Sequence, residues 1–241
     1  MSSEPDTSDL RPQLPLPALL HRLMWSRGWD WAMRLAAVLF HGALMLKQCI
    51  GLLKLFAARD EHSPLFFASA VAARLAVIMF LTLIVFIIIV RLRPVAKSSG
   101  IAPRLIALAG TCMPSFMTLF PRNPDSLAVN IASLALIAIG FALAVYGFSY
   151  LNRSASIMPE ARRLVTGGPY RFLRHPVYVF EEIGVIGLVL PFASIWALLW
   201  LLLHAAFQFQ RMRNEERVLS GAFPEYDDYA RRTARVIPGL Y

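Results

Sequence analysis

VAARLAVIMFLTLIVFIIIV, residues 71–90, decides the fold class. Arg74 is its one charge, and the rest is nearly continuous Ile, Leu, Val, Phe and Ala. A helix of about 20 apolar residues is long enough to cross the hydrocarbon of a bilayer. The competing class is a soluble all-α protein with a very large core. The whole chain argues against it: 57% of its 241 residues are hydrophobic and 16% are charged, where a soluble domain has about 25% charged residues. Mean hydropathy is +0.56. The chain reads as an all-α integral membrane protein.

Outward from that stretch, apolar segments cover residues 31–56, 66–90, 101–120, 127–151, 177–190 and 193–209. The first is impure, with Arg34, Lys47 and Lys54. The third is weak and broken by Pro103 and Pro114. The fifth starts at Val177 and meets Pro191, so the last two segments read as a helical hairpin turning at 191–194. About six transmembrane helices are expected. Residues 1–25 begin acidic and Pro-rich, which suits a disordered tail and not a secretory signal. Residues 26–151 then form an anchor of four apolar helices, and 152–241 a region of alternating polar loops and spans.

Charge sets the orientation. The net charge is +9. In a soluble protein this would raise nucleic acid as a partner, but basic residues at the ends of spans mark the cytoplasmic side. Arg91, Arg93, Lys97 and Arg104 flank one connection; Arg153, Arg162, Arg163, Arg171 and Arg174 fill another; Arg211, Arg213, Arg217, Arg231, Arg232 and Arg235 follow the last span. With six spans these fall on one face, and both termini are cytoplasmic. There is no Gly-rich phosphate loop and no zinc-ligand spacing. Cys49 and Cys112 lie in apolar runs and read as small buried residues. No nucleic-acid or metal partner is expected.

Polar chemistry concentrates in LVTGGPYRFLRHPVY, residues 164–178. Charge at the mouth of a membrane helix is costly and points to function. Proline excludes His175 from helical geometry and suits the first turn of the next helix. A helix starting at Pro176 would present the amides of Val177 and Tyr178 to an anion, with Arg171 and Arg174 nearby. A plain helix cap at a wet interface is the alternative for His175. Gly167 and Gly168 suit a tight turn, or simply a loop, and allow close approach of backbone to a ligand.

RMRNEE, residues 211–216, follows the sixth segment. Arg211 and Glu215 are four residues apart and share a helical face. They form either an exposed pair or one side of a site, brought beside residues 174–178 by the hairpin. Such a site offers donors for a carboxylate and acids for an ammonium, the two charges of an amino-acid-like ligand. Residues 223–237, with Phe223, Tyr226, Tyr229, Val236 and Ile237 among charges, read as a cap on the cytoplasmic face or as an interfacial anchor helix. Glu181 and Glu182 lie one turn into an apolar helix. They pair with nearby arginines or polarise an acceptor group.

In this order and spacing, Gly168-Pro169-Tyr170-Arg171, Arg174-His175-Pro176-Val177-Tyr178, a hydrophobic hairpin and Glu215-Glu216 resemble the isoprenylcysteine carboxyl methyltransferase family, in its bacterial form, and its phospholipid N-methyltransferase relatives. The likeness extends over about 151–238. It implies a membrane methyltransferase without a Rossmann fold, using S-adenosyl-L-methionine at a cytoplasmic C-terminal site and acting on a lipophilic acceptor, a carboxylate or an amine. It implies cofactor binding by Tyr170, Arg174, His175, Pro176, Tyr178, Glu215 and Glu216, and a substrate-side, catalytic Arg211. Tyr178 would flank the sulfonium through its π face. Glu181 and Glu182 are candidate substrate contacts, and they depart from the neutral residues of prenylcysteine enzymes. The bilayer is the expected partner and the bacterial inner membrane the expected location. Two other functions compete: a sterol-reductase-like enzyme using NADPH, and a non-enzymatic membrane scaffold or transporter subunit.

Overall fold

The computed structural model describes residues 26–120, 126–192 and 194–239. The expected N-terminal tail, 1–25, lies outside them. Four long helices each begin at a serine whose side chain accepts from an amide of the first turn: α1 (Arg27–Ala57) at Ser26, α2 (Pro64–Val90) at Ser63, α4 (Leu127–Leu151) at Ser126 and α6 (Ile195–Ala222) at Ser194. Serine at this position satisfies a donor that the helix itself cannot. Between α2 and α4 lie the short α3 (Ala102–Cys112) and a 3-10 turn, Met113–Leu119. Pro103 sits in the first turn of α3, and Pro114 in the first turn of the 3-10 segment. The two prolines thus divide the expected third span. α5 (Pro176–Val189) ends in a 3-10 turn at Leu190–Phe192, where the chain reverses into α6, as expected of Pro191. A short α7 (Tyr226–Arg232) follows.

Among the described residues three helices are long and apolar enough to cross a membrane: Gly28–Ala57, Pro64–Val90 and Leu127–Ser154. The charged first segment is therefore one continuous helix. Its Arg34 clamps the end of α2, donating to the carbonyls of Ile88, Ile89 and Arg91 at 3.3, 2.8 and 3.0 Å. Those carbonyls have no partner within their own helix. Asp30 bridges Arg34 and Arg91 at 2.8 and 3.2 Å.

The same end carries a two-residue antiparallel ladder, β1 (Ala96–Lys97) with β2 (Glu160–Ala161). Arg153 and Arg162 donate to the carbonyls of Val90 and Leu92, both at 2.7 Å. The first two basic regions thus meet at one end of the helices, and the Arg211 guanidinium reaches the Ser156 carbonyl there.

The arms of the hairpin do not pack chiefly on each other. α5 lies against α4, and α6 against α3. Gly140 and Gly184 explain the first contact: a Cβ on Gly140 would lie 2.3 Å from the Gly184 nitrogen. Small residues let membrane helices approach this closely. On the other side, Trp200 Nε1 donates to the Met113 carbonyl at 3.0 Å. Held apart in this way, α5 and α6 border a cavity of about 880 Å³ that continues along α1, α2 and α4.

Candidate active site

His175 has φ −129° and ψ 53°, outside helical geometry, and α5 starts at Pro176 as its sequence requires. No side chain caps that first turn. Tyr178 and Glu181 follow at i+2 and i+5 from Pro176 and line the cavity. From the facing helix, Arg211 and Glu215 do the same. The Tyr178 hydroxyl donates to Glu215 Oε1. The Arg211 guanidinium lies 4.9 Å from the Tyr178 ring centre, and its Nε 3.5 Å from Glu215 Oε1. Arg211 and Glu215 therefore face inward toward α5, and are not an exposed pair.

Arg211 is 7% exposed and already heavily bonded. Nη1 donates to Thr111 Oγ1 at 3.2 Å and Gln208 Oε1 at 3.5 Å, and Nη2 to the Ser156 carbonyl at 3.3 Å. The sequence likeness placed a sulfonium against the Tyr178 face; here the protein's own guanidinium stands over that ring.

Glu216 is used differently. Its Oε1 accepts from Arg174 Nε at 2.9 Å, from Arg235 Nε at 2.9 Å and lies 3.1 Å from His175 Nε2; its Oε2 accepts from Arg235 Nη2 at 2.6 Å. Burial raises its pKa, but the hydrogen bonds from His175 and Arg235 and the charges of His175 and Arg174 prevail and hold it at about 2. Arg174 also donates to the carbonyls of Ala230 and Thr233, at 2.6 and 2.9 Å. Backbone bonds from Arg174 to Ala234 and from His175 to Arg235 complete the attachment. Residues 223–237 are thus a docked cap. Arg174, His175 and Glu216 hold that cap, and Arg174 and His175 also line the cavity. Arg171 is exposed, with its guanidinium 5.2 Å from the Phe172 ring centre, and does not line the cavity.

The turn at Gly168 approaches a side chain of the same chain. Gly168 has φ +57°, and a Cβ there would lie 2.3 Å from the Tyr150 ring. The turn sets Tyr170, 5% exposed, into the cavity wall. Tyr229 donates its hydroxyl to the Tyr170 carbonyl at 2.7 Å. The hydroxyls of Tyr170 and Tyr226 are buried without a hydrogen-bond partner among the described residues, and both residues line the cavity. Burial, with the nearby charges of Glu215 and Glu216 respectively, raises both phenols above their ordinary range. Pro176 is fully buried.

Glu181 and Glu182 do not pair with arginines within hydrogen-bond distance. Glu182 meets His204 of α6, with Nδ1 at 3.3 Å from Oε1 and 3.2 Å from Oε2. His204 Nε2 lies 2.9 Å from the Gly110 carbonyl on α3. Glu181 faces the cavity. Thr111, Gln208 and His204 carry no motif in the sequence, and Arg235 stands out there only as one of the basic residues after the last span. Tyr226 was noticed only as part of the cap, although an aromatic ten residues after Glu216 was the available signal.

Residues 129–226 match the phospholipid methyltransferase family. The match begins inside α4, before the expected boundary at 151, in keeping with the close packing of α4 on α5. The nickel-cobalt-cadmium resistance protein NccN of Alcaligenes xylosoxydans xylosoxydans is 36% identical over 121 residues, 48% of this chain and 54% of that protein. The cobalt-zinc-cadmium resistance protein CzcN of Cupriavidus metallidurans is 42% identical over 82 residues, 32% of this chain and 36% of that protein. The matches thus span about half or less of these relatives' length. Residues 129–226 are a phospholipid methyltransferase domain, of the family that holds the isoprenylcysteine carboxyl methyltransferase-like proteins.

Proposed function

We propose that this protein methylates a lipophilic acceptor at the cytoplasmic face of the membrane, using S-adenosyl-L-methionine. The carrying observation is the mixed-charge end of the cavity: Tyr178, Arg211 and Glu215 converge there, beside the unpartnered hydroxyls of Tyr170 and Tyr226. These residues fit the cofactor by chemistry. The Glu215 carboxylate suits its ammonium, and the two phenols suit the hydrogen-bonding atoms of its nucleoside. Arg211 stands on the acceptor side, one turn from Glu215. Arg174, His175 and Glu216 act through the cap that closes this end.

The cofactor supplies an activated methyl group. The protein's share of such a displacement is alignment and exclusion of water. The cavity suits an acceptor that arrives from the bilayer, because it continues from the polar end along Val77, Leu81, Ile137 and Phe141. We place the polar end in the cytoplasm of a bacterial inner membrane, since the basic connections gather there. Six crossings remain the preferred topology, with the short α3 and α5 completed by their 3-10 turns.

The test is to incubate membranes bearing the wild-type chain or Glu215→Ala with methyl-labelled S-adenosylmethionine. Label is expected in the lipid-extractable fraction with wild type and not with the variant. Equal labelling, or none with wild type, would contradict the proposal.

A further inference from the structure

A second cavity, about 640 Å³, opens where α1 begins and α2 ends. Arg34, Arg91, Arg93, Lys97 and Arg153 line it against a single acid, Asp30. Part of that positive charge is already used. Arg34 gives Nε to Asp30 and its other nitrogens to the carbonyls of Ile88, Ile89 and Arg91. Lys97 lies 4.0 Å from Glu160. The remainder is not used. Arg93 is exposed and makes no hydrogen bond or ion pair with a described residue. Arg153 gives Nε to the Val90 carbonyl, and its two Nη atoms have no partner among the described residues. Arg91 is 7% exposed and gives Nη2 to Asp30, while its Nε is buried without a hydrogen-bond partner among the described residues. A buried donor left unpaired in this way calls for an acceptor.

The opposite wall is apolar. Trp31, Phe86 and Ile89 line the same cavity and are 62%, 60% and 52% exposed, on helix surfaces that a bilayer covers. A free anion would use the arginines and leave this wall bare. An amphiphile with an anionic head uses both.

We propose that this cavity binds an anionic phospholipid of the surrounding leaflet, its phosphate between Arg93 and Arg153 and its chains running past Trp31, Phe86 and Ile89. The guanidinium fork donates two parallel bonds to a phosphate, and basic pockets between membrane helices recognise such headgroups. Asp30 does not cancel the field, because Arg34 and Arg91 share its carboxylate. Arg91 lines both cavities and stands between them, so this lipid is a ligand apart from any methyl acceptor. The site does not depend on the methyl-transfer proposal. Its lipid straps the connection after α2, which carries Arg93, to the turn after α4, which carries Arg153.

The experiment is native mass spectrometry of the full chain in detergent, titrated with phosphatidylglycerol or phosphatidylcholine of matched chains. One phosphatidylglycerol is expected to bind about tenfold more tightly than phosphatidylcholine, and to raise the unfolding temperature. Arg93→Gln should weaken phosphatidylglycerol about fivefold and leave phosphatidylcholine unchanged. Arg213→Gln removes an exposed arginine of α6 that lines neither cavity, and should change nothing. Glycerol 3-phosphate carries the phosphate without chains and should not displace the lipid at equal concentration. Equal affinity for the two lipids would overturn the proposal. So would equal losses in the two variants, which would mean a diffuse positive surface. Displacement by glycerol 3-phosphate would make this a site for free phosphate and overturn the lipid.

Discussion

Glu215 and Glu216 sit on one turn of α6, about 100° apart around its axis. That angle separates two environments. Glu215 points to the cavity, where it meets one phenol and an arginine at the edge of ion-pair distance. Glu216 points to the cap, where two arginines and a histidine surround its carboxylate. Glu181 and Glu182 repeat the pattern on α5: one faces the cavity, the other is matched by His204. In both pairs the saturated acid holds elements together and the unsaturated one is left for chemistry. A buried charge with a full set of partners is structural, and one with an incomplete set marks where a ligand belongs.

The sharpest way to break this contrast is to exchange the effects of the two α6 glutamates. Glu216→Ala leaves Arg174 and Arg235 half-buried without their acid, and losing one partner of such a cluster costs about 3–5 kcal/mol. The cap is expected to detach, read as protease cleavage after residue 222 and a lower unfolding temperature in detergent. Acid should do the same. The pKa of Glu216 is depressed by folding, so its contribution is full above about 4.5, the usual glutamate value, and is lost as pH falls toward about 2. Cap protection measured by proteolysis should decline across that window, and should not in Glu216→Gln, which has lost it already.

Glu215→Ala should have the opposite profile. The affinity for S-adenosylmethionine is expected to fall about 100-fold, equivalent to about 2.7 kcal/mol, with the unfolding temperature close to wild type. Gly184→Leu tests the frame behind both acids. A Cβ there would stand 2.4 Å from the Phe141 ring, and such overpacking costs about 1–3 kcal/mol, seen as lower thermal stability with binding lost in proportion. Tyr226→Phe is the finest probe. It removes a buried hydroxyl that has no partner among the described residues, so stability should hold or rise slightly, while cofactor affinity should drop about tenfold or less. A stability loss without a binding loss would assign that hydroxyl to the fold.

Much of the architecture was legible because it is written locally. Pro176 opens α5, and Pro191 marks the reversal, whereas the serines at four helix starts went unread. The four-residue spacing of Arg211 and Glu215 placed them on one face, and the hairpin brought them to Tyr178. What was not legible depends on contacts between distant residues. The Arg174 motif reads as anion-binding, yet its guanidinium is taken by carbonyls 56 and 59 residues later. The mutual fit of Gly140 and Gly184 ties α4 to α5, and the family match takes in α4 from residue 129. His204 sat in an apolar run with no spacing to connect it with Glu182 or Gly110. Gly168 reads equally as a tight turn or a plain loop, and its close contact with the Tyr150 ring has no local signal.

The most direct test is calorimetric titration of S-adenosylmethionine, and of its demethylated product, into the purified full chain in detergent. The account predicts saturable binding of both, abolished by Glu215→Ala in a protein whose cap remains protease-resistant. No heat of binding in the wild-type chain, or equal affinity in the variant, would contradict it.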